Sequence, residues 1–254
     1  MLLWMMLGGL AIAPSDAQAI EAYPGSTWGN VSYSPNDESG NRVMGWVNQG
    51  IDWTTLPGGV VVNTFAEYRY RDRSKQPEYY NSQGPALGLE LKWSVLKLGV
   101  NHYWETMPDY PGGAQHSSIR QYYLTGFTDW DLTKKADLRV PGAIGLPGSV
   151  WFNMNYDING LTGSGGMGWI NQGIDWFTLS GGAVFTTYAE YRYRARTKLD
   201  EFYDARGPVL GLEFRMPLVR VGADYYWQYF PVQNERINYL EFYLTWYVDW
   251  DLKK

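Results

Sequence analysis

The segment Tyr239-Leu240-Glu241-Phe242-Tyr243-Leu244-Thr245-Trp246-Tyr247-Val248-Asp249-Trp250-Asp251-Leu252 alternates without a break. Leu240, Phe242, Leu244, Trp246, Val248, Trp250 and Leu252 share one face; Tyr239, Glu241, Tyr243, Thr245, Tyr247, Asp249 and Asp251 share the other. A period of two over that length is a β-strand pattern. It is longer than the usual five or six residues of a soluble strand, and a tilted membrane strand needs about 9 to 11. Other segments follow the same rule. Val219, Val221, Ala223, Tyr225 and Trp227 oppose Arg220, Gly222, Asp224, Tyr226 and Gln228; Leu87, Leu89 and Leu91 oppose Gly88, Glu90 and Lys92. Ala189, Tyr191 and Tyr193 oppose Glu190, Arg192 and Arg194, and Ile170, Ile174 and Trp176 oppose Asn171 and Asp175. Phe152, Met154 and Tyr156 against Asn153 and Asn155 form a weaker strand. In the strand ending at Leu132, Arg120 and Gly126 interrupt the apolar face.

The chain repeats itself. Met44-Gly45-Trp46-Val47-Asn48-Gln49-Gly50-Ile51-Asp52-Trp53 returns as Met167-Gly168-Trp169-Ile170-Asn171-Gln172-Gly173-Ile174-Asp175-Trp176, 123 positions later. Thr64 to Arg71 returns as Thr187 to Arg194, and Gly84 to Glu90 as Gly207 to Glu213, at the same offset. Asp129-Trp130-Asp131-Leu132 returns as Asp249-Trp250-Asp251-Leu252 at an offset of 120, so one loop of the second copy is three residues shorter. This periodicity predicts two six-stranded copies, repeat one at 26–133 and repeat two at 149–254, with a linker at 134–148. The linker holds Val140-Pro141-Gly142-Ala143-Ile144-Gly145-Leu146-Pro147-Gly148 and reads as a seam left by duplication.

Connections alternate in length. Leu56-Pro57-Gly58-Gly59, Leu179-Ser180-Gly181-Gly182, Trp93-Ser94-Val95 and Met216-Pro217-Leu218 are short. Pro35 to Asn41, Ser74 to Gln83 and Pro108 to Ser117 are longer and polar. Short periplasmic turns and longer external loops are the pattern of an outer-membrane barrel. The expected fold is all-β: one transmembrane antiparallel barrel of about 12 strands spanning 20–254. Twelve strands enclose more space than eight, which side chains just fill. The polar faces carry both charge signs, which can neutralise one another across a lumen, while the apolar faces suit lipid. The competing reading is a secreted β-sandwich or soluble barrel.

Composition agrees. Of 254 residues 13 are Trp and 21 Tyr, types that favour membrane–water interfaces and carbohydrate sites alike. No cysteine is present, which excludes disulfides and Cys-based zinc sites. A net charge of -5 points to no nucleic-acid partner. Met1 to Ala13 is nearly all apolar and Ala17-Gln18-Ala19 follows, so 1–19 reads as a signal peptide, although no Lys or Arg precedes Arg42.

In strand length, alternation, loop parity and an aromatic-rich last strand, the chain resembles bacterial outer-membrane β-barrels of the twelve-stranded, porin-like kind. The resemblance spans roughly residues 26 to 252. It implies an outer-membrane location, lipid as the outer partner and insertion by the barrel assembly machinery. Such barrels usually finish on a terminal aromatic, whereas Lys253 and Lys254 follow Trp250 here. The association state is left open.

Chemistry is sparse in the sequence. Some twelve-stranded barrels are lipases, resembling a Ser-His pair on the lipid-facing wall. Only His102 and His116 exist. His102 falls on an apolar face, where the second copy has Tyr225, and no serine lies within two positions; it reads as an interfacial aromatic. His116 reads as part of an external loop. Asp129 and Asp131, with Asp249 and Asp251, stand about 7 Å apart along a strand and read as a charged periplasmic rim rather than a glycosidase pair. No phosphate loop or metal-spaced cluster appears. The expectation is no enzyme, cofactor or metal.

The remaining constellation is the lumen. Glu67, Arg69 and Arg71 with Glu190, Arg192 and Arg194 form a ladder of opposite charges. Glu90, Lys97, Glu213, Arg220 and Asp224 extend it, and Tyr103, Tyr226 and Tyr243 add aromatic faces on which sugars could slide. These fourteen residues are the candidate solute-binding set. Bonded across the barrel they would plug it; held along the wall they would line a pore that sorts solutes by its field. The main expectation is a passive channel for small polar solutes or a saccharide chain. The alternatives are a non-conducting anchor, adhesin or receptor acting through its loops, and a lipase-like enzyme.

Overall fold

The computed structural model describes residues 20–35, 40–75, 81–135, 138–159, 163–198 and 204–253. The signal-peptide expectation at 1–19 lies outside them, as do the middles of several loops and Lys254. Twelve antiparallel strands close into one barrel: β1 (Pro24–Tyr33), β2 (Arg42–Leu56), β3 (Val60–Arg73), β4 (Ser82–Trp93), β5 (Leu96–Met107), β6 (Gln115–Asp131), β7 (Pro147–Ile158), β8 (Gly165–Thr178), β9 (Val184–Arg196), β10 (Ala205–Arg215), β11 (Val219–Phe230) and β12 (Glu235–Asp251). Each strand pairs with its sequence neighbours, and β1 closes on β12. A short helix, α1 (Leu132–Lys135), follows β6.

The strands run further than the sequence pattern delimits. Ser82, Gln83 and Gln115 to Ser117 are strand residues, so His116 stands at the external end of β6 and not in a loop. The linker is not all connection either: Pro147 and Gly148 open β7, and Gly145 makes an antiparallel bridge to Asp175 as Ala22 does to Asp52.

Leu87, Leu89, Leu210, Leu212, Phe242 and Leu244 are exposed on the outer face, while Glu90, Glu190, Glu213, Asp224 and Glu241 are buried on the inner one. An apolar exterior, a charged interior and no free sheet edge satisfy every requirement for crossing a bilayer with strands. The protein is a twelve-stranded β-barrel of the bacterial outer membrane. The two interruptions in β6 find their places on that exterior: Arg120 lies near the external rim opposite His102, and the ring of Phe152 covers Gly126.

Following paired residues once around the wall returns to β1 displaced by about 20 residues, the shear of the barrel. With strands about 4.8 Å apart and about 3.3 Å per residue, that shear sets a tilt of about 50° and a wall radius of about 14 Å. At this tilt a span of about 25 Å of apolar belt takes roughly 11 to 12 residues, in keeping with strands of 10 to 17.

Two local devices recur. Gly84-Pro85 and Gly207-Pro208 sit where a Cβ on the glycine would strike the backbone carbonyl of Trp104 or Trp227, so only glycine lets β4 and β10 approach their neighbours so closely. The repeated Gln-Gly-Ile-Asp-Trp segments also find a role. The strand pairing shifts by one residue between Asp52 and Thr54, and again between Asp175 and Phe177. The bulged indoles of Trp53 and Trp176 donate to Thr64 and Thr187, each at 2.8 Å.

Candidate functional site

All fourteen candidate residues face the lumen, because each shares strand parity with the buried inner-face carboxylates. They gather in two clusters on opposite sides. In the second half, the Arg192 guanidinium pairs with Glu190 and with Asp224 (3.1 Å), and donates to the Tyr226 hydroxyl. It also lies over the Tyr226 ring, 4.8 Å from the centroid, and Tyr226 stacks on Tyr239 at 4.4 Å. The one Tyr226 proton serves Asp224 (3.1 Å) or Glu241 (3.2 Å), and Arg42 pairs with Glu241. Tyr188 donates to Asp224, and Tyr243 donates to Glu213 at 3.0 Å. Asp224 and Tyr226 are each only 1 % exposed, so every one of these contacts offsets a real desolvation cost.

The first half is built alike with its carboxylates redistributed, Glu105 standing where the second half has Gln228. Arg69 pairs with Glu67, bonds Gln121 at 3.3 Å and lies 5.2 Å from the Tyr103 centroid. Asn101 and Gln121 hold the positions that Asp224 and Glu241 hold in the second half, so amides replace two carboxylates. Tyr123 donates to Glu90 at 2.8 Å, and Arg71 pairs with Glu105 at 3.3 Å. Lys92 and Arg215, in matching places, bond Asp52 (2.9 Å) and Asp175 (2.7 Å). Arg194 lies on the same face near the external end of β9.

These bonds join strands at most three apart and run along the wall. The large inner rings also lie flat. A Cβ on Gly222 would strike the hydroxyl end of Tyr243 and the Leu212 carbonyl, one on Gly211 the Tyr188 ring, one on Gly99 the Tyr123 ring, and one on Gly88 the Phe65 ring. Each glycine thus makes a recess that takes an aromatic ring out of the bore. Towards the periplasmic end the lining opens: Lys97 is 3.7 Å from Glu90 with its side chain 53 % exposed. Arg220 is exposed and has no side-chain partner among the described residues. Arg215, Arg220, Thr245 and Tyr247 contribute to a recess of about 390 Å³ there.

Sequence reasoning missed a set of lumen aromatics. Trp28, Trp46, Trp151, Trp169 and Phe127 point inward, not into the lipid belt. The signal was present: Trp46 and Trp169 stand two residues from the inward Asn48 and Asn171, and so share their face. Trp246 and Trp250 do face outward, with their rings over Gly29 and Gly25.

The outer wall carries a serine–histidine pair. Ser118 on β6 lies 2.7 Å from His102 Nε2, brought there by strand register and not by sequence proximity. The Trp104 ring packs against the imidazole at 4.5 Å. Among the described residues no carboxylate or amide bonds His102 Nδ1, the position a catalytic base needs held. At the rim, Asp131 accepts from Thr133 and from the Leu146 N–H, and Asp251 accepts from the N–H groups of Tyr23 and Lys253. Asp131 thus ties the end of β6 to the approach to β7, and Asp251 ties the last strand to the approach to β1.

No family model matches this sequence, and no curated protein matches it. Solved structures that resemble it include the β domain of the Bordetella autotransporter Brka, with 14% identity, a TM-score of 0.41, and coverage of 89% of this chain and 98% of that one. LpxR from Salmonella typhimurium has 10% identity and a TM-score of 0.41, covering 87% and 99%. KdgM porin has 10% identity and a TM-score of 0.36, covering 87% and 98%.

Proposed function

We propose that this protein is a passive outer-membrane channel that passes small polar solutes, saccharides among them, through its charged and tyrosine-lined lumen. The observation that carries this reading is the recessing of Tyr243, Tyr188, Tyr123 and Phe65 over glycines. A barrel built to be plugged gains nothing by laying its bulkiest inner side chains flat; a pore gains cross-section. The ion pairs of Arg69 and Arg192 along the wall, and a wall radius of about 14 Å, support the same conclusion. The lumen charges hold water and orient a solute, as lining charges do in channels.

Purified protein in a planar bilayer should give discrete conductance steps, altered by Arg192→Ala. Absence of steps would instead favour a closed barrel acting as anchor, adhesin or receptor through its external loops. A lipase-like reading is kept for one observation, the Ser118–His102 hydrogen bond on the lipid-facing wall. It requires ester hydrolysis that Ser118→Ala abolishes. We read the wall as two copies of a six-stranded unit, 26–133 and 149–254 joined by 134–148, with 1–19 as a cleaved leader. Matching bonds at Asp52 and Asp175, and at Thr64 and Thr187, support the duplication.

A further inference from the structure

The geometry points to two equivalent tracks in the lumen on which an uncharged oligosaccharide stacks; this inference rests on the channel reading above. One track is the cross-strand row Phe127–Trp151–Trp169–Arg192, directly paired through β6, β7, β8 and β9. The other is Tyr247–Trp28–Trp46–Arg69, paired through β12, β1, β2 and β3. They stand six strands apart in a twelve-strand wall, on opposite sides of the bore. Trp28 and Trp46 stack at 4.7 Å with planes 24° apart; Trp151 and Trp169 lie 6.5 Å apart at 29°. Phe127 meets the Trp169 ring edge-on at 6.4 Å and 73°, so each row joins a near-parallel indole pair to a further ring placed beside it by strand register.

The strips are tilted with the barrel. Phe127 and Tyr247 lie four residues from the periplasmic ends of β6 and β12 at Asp131 and Asp251; Arg192 and Arg69 lie eight and nine residues into β9 and β3. Each row therefore climbs from the periplasmic mouth towards mid-barrel over three strand spacings, about 14 Å, enough for a short run of sugar rings. Its foot is open: Phe127 is 49% exposed and Tyr247 48% exposed, though both face inward. Apolar rings left bare to lumen water are costly unless a ligand uses them.

The surroundings select the ligand class. The faces of Trp, Tyr and Phe accept the C–H faces of sugar rings, as they accept other apolar surface. Hydroxyls find donors and acceptors on both sides of the strip. The charges do not favour an ion: Arg69 and Arg192 are each neutralised by a carboxylate, and at the foot the exposed Asp129 and Asp249 oppose the exposed Lys97 and Arg220. Aromatic faces flanked by balanced polar groups suit a neutral polyol chain.

The test uses the full chain in planar bilayers with maltohexaose, cellohexaose and, as the charged comparison, a hyaluronan hexasaccharide. At least one neutral hexasaccharide should block the current transiently. In Trp46→Ala/Trp169→Ala the blocking affinity should fall at least tenfold while the open-channel conductance is kept or raised, and Trp46→Phe/Trp169→Phe should retain most of it. Steps without neutral blockade, blockade undiminished in the alanine variant, or stronger blockade by the acidic sugar would each overturn the tracks and leave the channel reading standing. A tryptophan-fluorescence titration of the detergent-solubilised protein separates the two ideas. Saturable quenching by the neutral sugar without conductance would refute the channel and retain the tracks; no quenching would refute the tracks.

Discussion

The indole N–H of Trp250 donates to the side-chain oxygen of Gln49 at 2.8 Å, across the seam where the barrel closes. The amide nitrogen of Gln49 is shared among the carbonyls of Tyr23, Pro24 and Gly50. Trp130 makes the same bond to Gln172 at 2.9 Å, and Gln172 serves Leu146, Pro147 and Gly173. Each glutamine lies on the outward parity, where an unpaired amide would be expensive beside lipid. Gln49→Leu should therefore destabilise the barrel by about 1–3 kcal/mol, and Trp250→Phe, which keeps the ring, by about 1 kcal/mol. Urea unfolding followed by the heat-modifiable shift on gels reads this. An unchanged midpoint for Gln49→Leu would remove the seam from the account of stability.

Arg192 neutralises two carboxylates, Glu190 and Asp224, whereas Arg69 serves one carboxylate and the amide of Gln121. Either deletion removes one positive charge, but deleting Arg192 strips the counter-ion from two adjoining carboxylates where deleting Arg69 strips it from one, so the local negative potential rises more. The reversal potential in a KCl gradient is expected to move towards cation selectivity in Arg192→Ala, and by less in Arg69→Ala. Equal shifts, or a shift towards anions, would contradict the network as described.

The recess under Tyr243 is filled by any side chain at Gly222. Gly222→Leu should push that ring off the wall and lower single-channel conductance, as should Gly99→Leu by displacing Tyr123. Overpacking at such sites typically costs about 1–3 kcal/mol, so folded protein is selected by gel mobility before the bilayer measurement. Conductance equal to that of the parent protein would mean that these rings do not control the bore.

Among the described residues no carboxylate or amide holds Nδ1 of His102 in the Ser118–His102 pair. The channel reading expects no phospholipase activity in detergent or vesicles, with His102→Ala and Ser118→Ala changing stability by less than about 0.5 kcal/mol. Hydrolysis present in the parent and lost in Ser118→Ala would transfer the function to the outer wall.

Much of the wall could be read from Tyr239 to Leu252 alone, where alternation assigns Glu241 and Tyr243 inward and Phe242 and Leu244 outward, as the barrel has them. The same rule was available for Trp46, yet its enrichment at membrane interfaces suggests the lipid belt, and the parity with Asn48 is easily passed over. Ser118 against His102, and Trp250 against Gln49, were beyond reach: their separations of 16 and 201 residues carry no local pattern.

The amino-acid sequence by itself determined the class of wall, its sidedness and the alternation of turns and loops. Those follow from the two-residue period of an extended backbone, a property of each strand taken alone. Only the tertiary structure decided the bore, the aromatic rows and the partners of each charge. Shear is the accumulated register of twelve pairings, and it sets tilt, radius and cross-strand neighbours together. A shift of one pairing would move every one of them, so none is written in any single segment of the chain.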